Sequence, residues 1–225
     1  MGLIFHSTFS NFNKNKLKFV QLHLRHFVNV KNTNTRLRII NMSKKALFIT
    51  SNVGIEHDEL IKPLEFLQSK GIEVIHAAEE QKEVDTVKHG KQSATSYIPQ
   101  TTLAKVSAQD YDILVIPGGT INADILRLNQ DAHRIIQYFT DNAKPIAAIC
   151  HAPWVLINAG RIKDKNLTSY KSIKLDLENA GGNWVDKEVH RCNAHNWPLI
   201  TSRCPDDIPA FNEAILKELN SSNAF

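Results

Sequence analysis

Short apolar runs that alternate with amphipathic segments constrain the fold of this chain more than any other feature of its sequence. ALFITS (46–51), EVIHAA (73–78) and YDILVIPGG (111–119) each contain a run typical of a strand buried on both faces. Helical spacing occurs between such runs, as in DAHRIIQYFTDNA (131–143). Parallel strands need crossover connections, which are usually helices. The pattern therefore predicts an α/β fold, a three-layer α/β/α sandwich around a mostly parallel sheet.

The stretch PIAAICHAPW (145–154) places a thiol at the end of one of these runs. IAAI is typical of a buried strand, and APWVLINAG, which Gly160 closes, has helical spacing. Cys150 is therefore predicted to lie on a strand-to-helix turn, the position of a nucleophile elbow, at the edge where open α/β sheets carry their sites. The alternative is that Cys150 is simply a small core residue, because free cysteines are among the most buried residue types.

The formal net charge of +4 comes from the N-terminal segment. Residues 1–55 contain nine Lys and Arg and no acid, which leaves 18 basic residues against 23 acids in the rest of the chain. That remainder has a net charge of about −5, so the overall basicity is no argument for nucleic-acid binding. We identify no nucleic-acid-binding motif and expect no such partner.

Residues 1–41 form a basic leader that we expect to be disordered, because its apolar residues occur only in short groups. None of these groups is long enough for a membrane-spanning helix, and no membrane association is expected. The leader has Arg, Ser and Asn but no acid, as an organellar transit peptide does. The alternative is a non-functional extension before Met42, where MSKKALFITS has the character of a natural start.

The cysteines other than Cys150 suggest no metal site. Cys192 and Cys204 belong to no CxxC or His-rich pattern, so the sequence predicts neither bound metal nor a planned disulfide, and we expect no cofactor. Cysteines without a disulfide pattern are typical of a protein in a reduced intracellular compartment. We expect the cytoplasm, with the mitochondrion as the alternative if residues 1–41 are a transit peptide.

Four separated motifs resemble one known family in the same order. ILVIPGG, PIAAICHAPWVLINAG, LTSYKSIKLDLENAGGNWVDKEV and TSRCPDDIPAF are similar to the PfpI branch of the ThiJ/PfpI superfamily. The similarity runs from about Lys44 to Leu219, and we assign the domain to residues 44–220. It implies a flavodoxin-like fold related to class I glutamine amidotransferases, and it favours the nucleophile reading of Cys150 over the core reading.

The resemblance also implies catalytic roles. Cys150 would act as a thiolate nucleophile with His151 as its partner, although a helix-cap or interface role is the alternative for His151. Glu59, four residues before Pro63, would be a protonated acid that donates a hydrogen bond to the sulfur, which requires burial to raise its pKa. The backbone N–H groups of Gly119 and His151 would form an oxyanion hole.

Other residues are expected around the pocket. The resemblance places Gly118 and Tyr170 there, Trp154 is expected as a wall or packing residue, and Glu56 belongs to the same segment as the catalytic acid. In PfpI-type oligomers an acid beyond the Gly-Gly turn reaches a neighbouring subunit, which points to Asp124 as a residue acting in trans. GGTINAD is one residue longer than the usual loop, so we favour a surface helix cap for Asp124.

The resemblance implies a cysteine-dependent enzyme that attacks carbonyl groups. We expect a protein deglycase or glutathione-independent glyoxalase acting on small aldehydes or glycated protein side chains, because nothing in the sequence codes for a peptide groove. The alternatives are an intracellular cysteine peptidase and a redox-sensing stress protein or chaperone. A homodimer or homohexamer is expected, with residues 88–100 forming a hairpin-like excursion onto a neighbour.

Overall fold

The computed structural model describes residues 44–88, 91–92 and 97–221. The predictions for the leader, 1–41, lie outside this range. Within it, no helix is long and apolar enough to span a membrane.

Twelve strands and six α-helices are described in this part of the chain. The strands are β1 Lys45–Ile49, β2 Val53–Glu56, β3 Glu73–Ala78, β4 Asp85–Lys88, β5 Lys91–Gln92, β6 Thr101–Thr102, β7 Ile113–Ile116, β8 Ile146–Ile149, β9 Asn166–Leu167, β10 Asn183–Trp184, β11 Val189–Cys192 and β12 Leu199–Ser202. The helices are α1 His57–Ser69, α2 Thr120–Leu126, α3 Gln130–Asp141, α4 Pro153–Asn158, α5 Lys174–Asn179 and α6 Ile208–Ser221.

Seven strands form the central sheet in the order β11-β12-β8-β7-β1-β3-β6. Every neighbouring pair is parallel except β11 with β12, which is antiparallel. All residues of β7, β8 and β12 are buried, as expected for parallel strands covered on both faces. The carboxyl ends of β7 and β8 lie side by side, so the turns that follow them meet at one edge of the sheet.

Apolar side chains on the two faces of the sheet pack into two layers of helices. On one face Leu47 of β1 packs in a cluster with Phe139 of α3 and with residues of α2, α4 and α5. On the other face Phe48 packs with Leu60 of α1 and Phe211 of α6. Successive residues of a strand point to opposite faces, which explains this division. The predicted three-layer sandwich with a mostly parallel sheet is confirmed.

Two small sheets lie outside the central one. One has the order β2-β4-β5, and the other pairs β9 with β10. β4 and β5 are antiparallel, with Val87 opposite Gln92, which is the pairing of a hairpin. The excursion onto a neighbouring subunit expected for residues 88–100 stays a prediction, and residues 89–90 and 93–96 lie outside the described part of the chain.

Candidate active site

Cys150 lies on the tight turn between β8 and α4. Its φ is +63°, a left-handed conformation that costs a residue with a Cβ atom about 1 kcal/mol or more. Two backbone hydrogen bonds hold the turn: Cys150 N donates to Ser202 O (3.0 Å), and Cys150 O accepts from Tyr170 N (2.9 Å). α4 then starts at Pro153, a residue well suited to a first helical position. The strand-to-helix turn predicted at Cys150 is therefore present, with the thiol at its tip.

Glu59 approaches this thiol from α1, on the other side of Gly118. The carboxyl group is fully buried, and its Oε2 accepts a hydrogen bond from Gly118 N at 2.9 Å. A Cβ atom built on Gly118 would lie 2.4 Å from that oxygen and 2.7 Å from Cys150 Cβ. Glycine at this position is therefore what lets the carboxyl group and the cysteine approach each other. Pro63 has no N–H to give to the Glu59 carbonyl, so the helical ladder is interrupted here.

Burial controls the protonation of both groups. It raises the pKa of Glu59 to about 8, with a further contribution from the charge of Glu56. The carboxyl group is therefore protonated in most molecules at neutral pH, and its Oε1 has no hydrogen-bond partner among the described residues. The acid is thus in the form required for donating a proton at the thiol.

Burial also raises the pKa of the Cys150 thiol well above its usual value, and the charge of Glu59 acts in the same direction. The backbone N–H groups of Gly119 and His151 oppose this by hydrogen bonding to the sulfur. A lowered pKa would favour the thiolate that the resemblance implies for Cys150, but in this structure burial outweighs the two donors and the pKa is raised. The resting thiol is protonated, and a base is needed to ionise it.

His151 supplies a nitrogen beside the thiol. Its Nδ1 lies 3.2 Å from Cys150 Sγ, while its Nε2 lies 3.2 Å from Ser172 Oγ and 3.4 Å from Thr120 Oγ1. The ring stacks on Tyr170 with centroids 5.0 Å apart. Burial lowers the pKa of His151, which favours the neutral imidazole that can accept a proton. Residues adjacent in sequence meet here because the turn, unlike a helix, lets both side chains face one space.

The turn after β7 brings the second backbone donor to the site. Gly119 has φ +92°, and a Cβ atom there would lie 2.2 Å from Gly54 O and 2.7 Å from Glu56 N. The close approach of two backbone segments therefore requires glycine. The hydrogen bonds of Gly119 N–H and His151 N–H to the sulfur show that the two predicted oxyanion donors point into the same space.

Asn122 holds this turn, and the sequence analysis missed it. The side chain is fully buried; its Oδ1 accepts from Ser51 N (2.8 Å), and its Nδ2 donates to Pro117 O (2.9 Å) and Gly118 O (3.0 Å). The amide thus ties the end of β1 to the turn after β7. An Asn just past a Gly-Gly pair was the available signal, but it does not distinguish a buried clamp from a surface residue.

The groups converge on a pocket of about 370 Å³. Its lining residues are Glu56, Glu59, Val87, Gly119, Thr120, Cys150, His151, Tyr170 and Pro205. Glu56 and Tyr170 therefore line the pocket as expected, whereas Gly118 and Trp154 lie behind its wall. Trp154 contacts the edge of the His151 ring, with centroids 5.4 Å apart, and its Nε1 donates to Asp176 Oδ2 at 2.8 Å.

Asp124 stands apart from the pocket. Its side chain is 69% exposed, and the carboxylate lies 3.9 Å from the Arg127 guanidinium on the outside of α2. The helix-cap reading of Asp124 is wrong, because the residue at the N-cap of α2 is Gly119 and Asp124 lies within the helix. Its predicted action on a neighbouring subunit stays a prediction.

The other cysteines make no disulfide in the described part of the chain. Cys150, Cys192 and Cys204 are all free thiols. Across residues 44–88, 91–92 and 97–221, no group of three or more His, Cys, Asp or Glu side chains is arranged to hold a metal ion.

Comparisons with known proteins show the family to which this chain belongs. The sequence profile of the DJ-1/PfpI family matches residues 44–218. Deglycase PH1704 of Pyrococcus horikoshii is 39% identical over 175 residues, which cover 78% of this chain and 99% of the relative. General stress protein 18 of Bacillus subtilis is 37% identical over 172 residues, which cover 76% and 96%. The crystal structure of Drosophila melanogaster DJ-1beta has a TM-score of 0.70 and 33% identity, covering 79% of this chain and 91% of that one. The resemblance inferred from the motifs is confirmed, and the chain belongs to the DJ-1/PfpI family.

Proposed function

We propose that this chain is a cysteine-dependent deglycase or glyoxalase that acts on methylglyoxal or glyoxal and their adducts. The observation that carries the proposal is the placement of Cys150, His151 and Glu59 around one small pocket with two backbone N–H donors. The name of the relative PH1704, a deglycase, supports the same activity class.

The geometry suggests how the first step proceeds. Cys150 Sγ attacks the carbonyl carbon, and its proton passes to His151 Nδ1 at 3.2 Å. A C–S bond forms as the π electrons of the carbonyl move onto its oxygen. The N–H groups of Gly119 and His151 stabilise that oxygen, and the protonated Glu59 supplies its proton, giving a hemithioacetal. Coupling ionisation to attack avoids a buried thiolate in the resting enzyme.

The raised thiol pKa favours an enzyme over a redox sensor. Oxidation by peroxide proceeds through the thiolate, and burial raises the pKa of the resting Cys150 thiol. A thiol that ionises when a nearby base accepts its proton is instead suited to turnover. The pocket, at about 370 Å³ and with two acids in its lining, accommodates a small neutral or cationic group.

One set of assays tests this proposal. The full chain is incubated with methylglyoxal, with an arginine derivative carrying a fresh methylglyoxal adduct, and with an unfolded protein. We expect lactate formation or release of the free arginine derivative, and no peptide cleavage. Peptide cleavage with inert dicarbonyls would instead favour the peptidase.

A Cys150→Ser variant identifies the nucleophile within the same assays. We expect its activity to fall by at least about 10³-fold, because a hydroxyl is not ionised by an imidazole as readily as a thiol. Cys192→Ser is the matched control and keeps wild-type activity, because the free thiol of Cys192 does not line the pocket. Retention of more than about a tenth of the activity by Cys150→Ser would remove Cys150 from the mechanism.

Assembly and location are separate proposals. We propose a homodimer or homohexamer, supported by the exposure of the apolar side chains Ile121 (52%) and Val53 (43%) beside the site. Light scattering during chromatography, with assays across a dilution series, tests it; a fully active monomer contradicts it. A reporter fused to residues 1–45 distinguishes the cytoplasm from the mitochondrion.

A further inference from the structure

A second cavity adjoins the pocket of Cys150. It has a volume of about 310 Å³, and its lining residues are Ser169, Tyr170, Lys171, Trp184, Asp186, Arg203 and Cys204. Tyr170 lines both cavities, and Cys204 of the second precedes Pro205 of the first. The two spaces are therefore separated by one wall, and a ligand attached to the thiol could extend across it.

Aromatic walls of the second cavity are held in place by their neighbours. Trp184 Nε1 donates to Ser169 Oγ at 3.0 Å, which satisfies the polar atom of the indole. Lys174 Nζ lies 5.1 Å from the centre of the Trp184 ring. The Tyr170 ring is fixed by stacking on His151. Side chains fixed in this way lose little freedom when a ligand packs against them.

The charge within this cavity is largely balanced. Arg203 Nε and Nη2 donate to the two oxygens of Asp207 at 2.8 and 2.9 Å, and Nη1 donates to Asp186 Oδ1 at 2.7 Å. A guanidinium bound by two carboxylates offers little attraction to an added anion. With the indole and phenol rings as its main surfaces, the cavity suits an apolar or aromatic side chain.

The Cys150 pocket differs from the second cavity in the charge of its lining. Glu56 lies in its lining and the protonated Glu59 adds no positive charge, so the pocket suits a neutral or cationic group and disfavours a phosphate. A small free dicarbonyl would occupy the Cys150 pocket alone and leave the second cavity unused. An adducted arginine or lysine within a polypeptide would place its neighbouring residue near the second cavity.

We propose that the cavity between Tyr170 and Trp184 is a subsite for the apolar or aromatic side chain next to an adducted basic residue in a polypeptide substrate. This inference rests on the proposed function, since it takes Cys150 as the group that attacks the adduct. It assigns Trp184 and Cys204 to substrate selection, a role that the catalytic geometry does not require.

The test measures binding without turnover. Iodoacetamide alkylates Cys150, and unmodified acetyl-Phe-Arg-amide, acetyl-Arg-Phe-amide and acetyl-Gly-Arg-amide compete with it, followed by mass spectrometry of the Cys150 peptide. We expect the tighter-binding of the two Phe-containing peptides (the Phe peptide) to protect Cys150 from alkylation at about tenfold lower concentration than acetyl-Gly-Arg-amide (the Gly peptide). The reason is that binding transfers an aromatic side chain out of water. Inorganic phosphate, the anionic probe, is expected not to protect.

Two variants test whether the preference for the Phe peptide arises in the cavity between Tyr170 and Trp184. Trp184→Ala and Cys204→Phe, the second of which fills the cavity, should each bring the protection ratio of the Phe and Gly peptides to about one. Tyr138→Ala removes a partly buried aromatic residue outside either lining and should keep the wild-type ratio. Thermal melting by circular dichroism shows which variants are folded. If Trp184→Ala does not fold, Cys204→Phe alone tests the subsite.

The outcomes separate this inference from the proposed function. Equal protection by the Phe and Gly peptides in the wild-type chain, or protection by inorganic phosphate at the same concentrations, overturns the subsite even if methylglyoxal is consumed. A preserved preference in the folded Cys204→Phe variant also overturns it. Absence of dicarbonyl turnover with a clear Phe preference would instead remove the deglycase and keep the side-chain subsite.

Discussion

The turns after β7 and β8 both reverse the chain sharply between a strand and a helix, but they use different residues to do so. Each ends a buried parallel strand, begins a helix and has a residue in the left-handed region, Gly119 with φ +92° and Cys150 with φ +63°. Glycine adopts this conformation without a steric cost, and at the first turn the backbone alone has a role. At the second turn the thiol of Cys150 has the chemical role. The residue therefore keeps its Cβ atom in spite of the strained left-handed conformation. Strain in a non-glycine residue therefore marks which turn carries a reactive side chain.

Giving the first turn a side chain should have the largest effect on stability. In Gly119→Ala the new Cβ atom would meet Gly54 O at 2.2 Å, and neither backbone segment can move without disturbing the sheet. We expect the free energy of unfolding to fall by about 3 kcal/mol or more, and the Tm by roughly 6–12 °C. Gly160→Ala is the control, because Gly160 has φ +69° with nothing within 4 Å of its added Cβ atom. If both variants lose the same stability, backbone conformation and not the close approach explains Gly119.

Glu59 bridges the two turns, and its titration should show in the pH dependence of stability. Its folded pKa of about 8 exceeds the usual 4.5, so the folded state binds more protons than the unfolded state between these values. Its contribution to stability is therefore full below pH 4.5 and is lost as the pH rises towards 8, with a slope on the order of 1.4 kcal/mol per pH unit.

The Glu59→Gln variant tests this assignment. It cannot ionise, so its unfolding free energy should depend less on pH between 5 and 8 than that of the wild type. Urea denaturation at several pH values measures the difference. Parallel pH profiles for the two proteins would place the titration elsewhere.

Removing the side chain from the second turn should reveal its strain. We expect Cys150→Gly to be more stable than Cys150→Ala by about 1 kcal/mol, because alanine keeps the Cβ atom at φ +63° and glycine does not. This order is the reverse of that in a helix interior. Chemical denaturation of the two inactive variants measures it, and a more stable alanine variant would show that the turn relaxes.

The smallest effect is expected at the rim, where Ser172 bonds His151 Nε2. Ser172→Ala should slow alkylation of Cys150 at neutral pH by roughly three- to tenfold, since the imidazolium loses an acceptor for its Nε2–H. Ser172→Thr should restore the rate, and Ser107→Ala, which removes an exposed hydroxyl outside both cavity linings, should leave it unchanged. An unchanged rate in Ser172→Ala would mean that another group bonds Nε2.

Apolar patterning was enough to predict the central sheet and the position of Cys150. Fully apolar runs such as IAAI have few other stable environments, and β3 was predicted with its observed bounds, Glu73–Ala78. β2 was missed because its sequence, VGIE, is not a fully apolar run and contains Gly54 at φ +71° beside an irregular register. Neither feature gives an alternating pattern.

The chemistry of the site was less predictable than its location. Motif similarity indicated Glu59, and the need for burial was correctly anticipated, but the raised thiol pKa depends on how deeply Cys150 is packed, which the sequence does not show. The partners of His151 Nε2 come from α2 and from the loop after β9, far apart in sequence. Contacts of this kind arise from tertiary packing and leave no local signal.

The two backbone bonds of Cys150 set an order of events during synthesis. Its amide and carbonyl groups are bonded by Ser202 and Tyr170, both of which are translated after it. Until those segments leave the ribosome and pair, the growing chain carries an ordinary cysteine on an unconstrained segment. Cys150 would thus acquire its left-handed turn geometry only after Ser202 has been translated, which limits unwanted reactions of its thiol in the nascent chain.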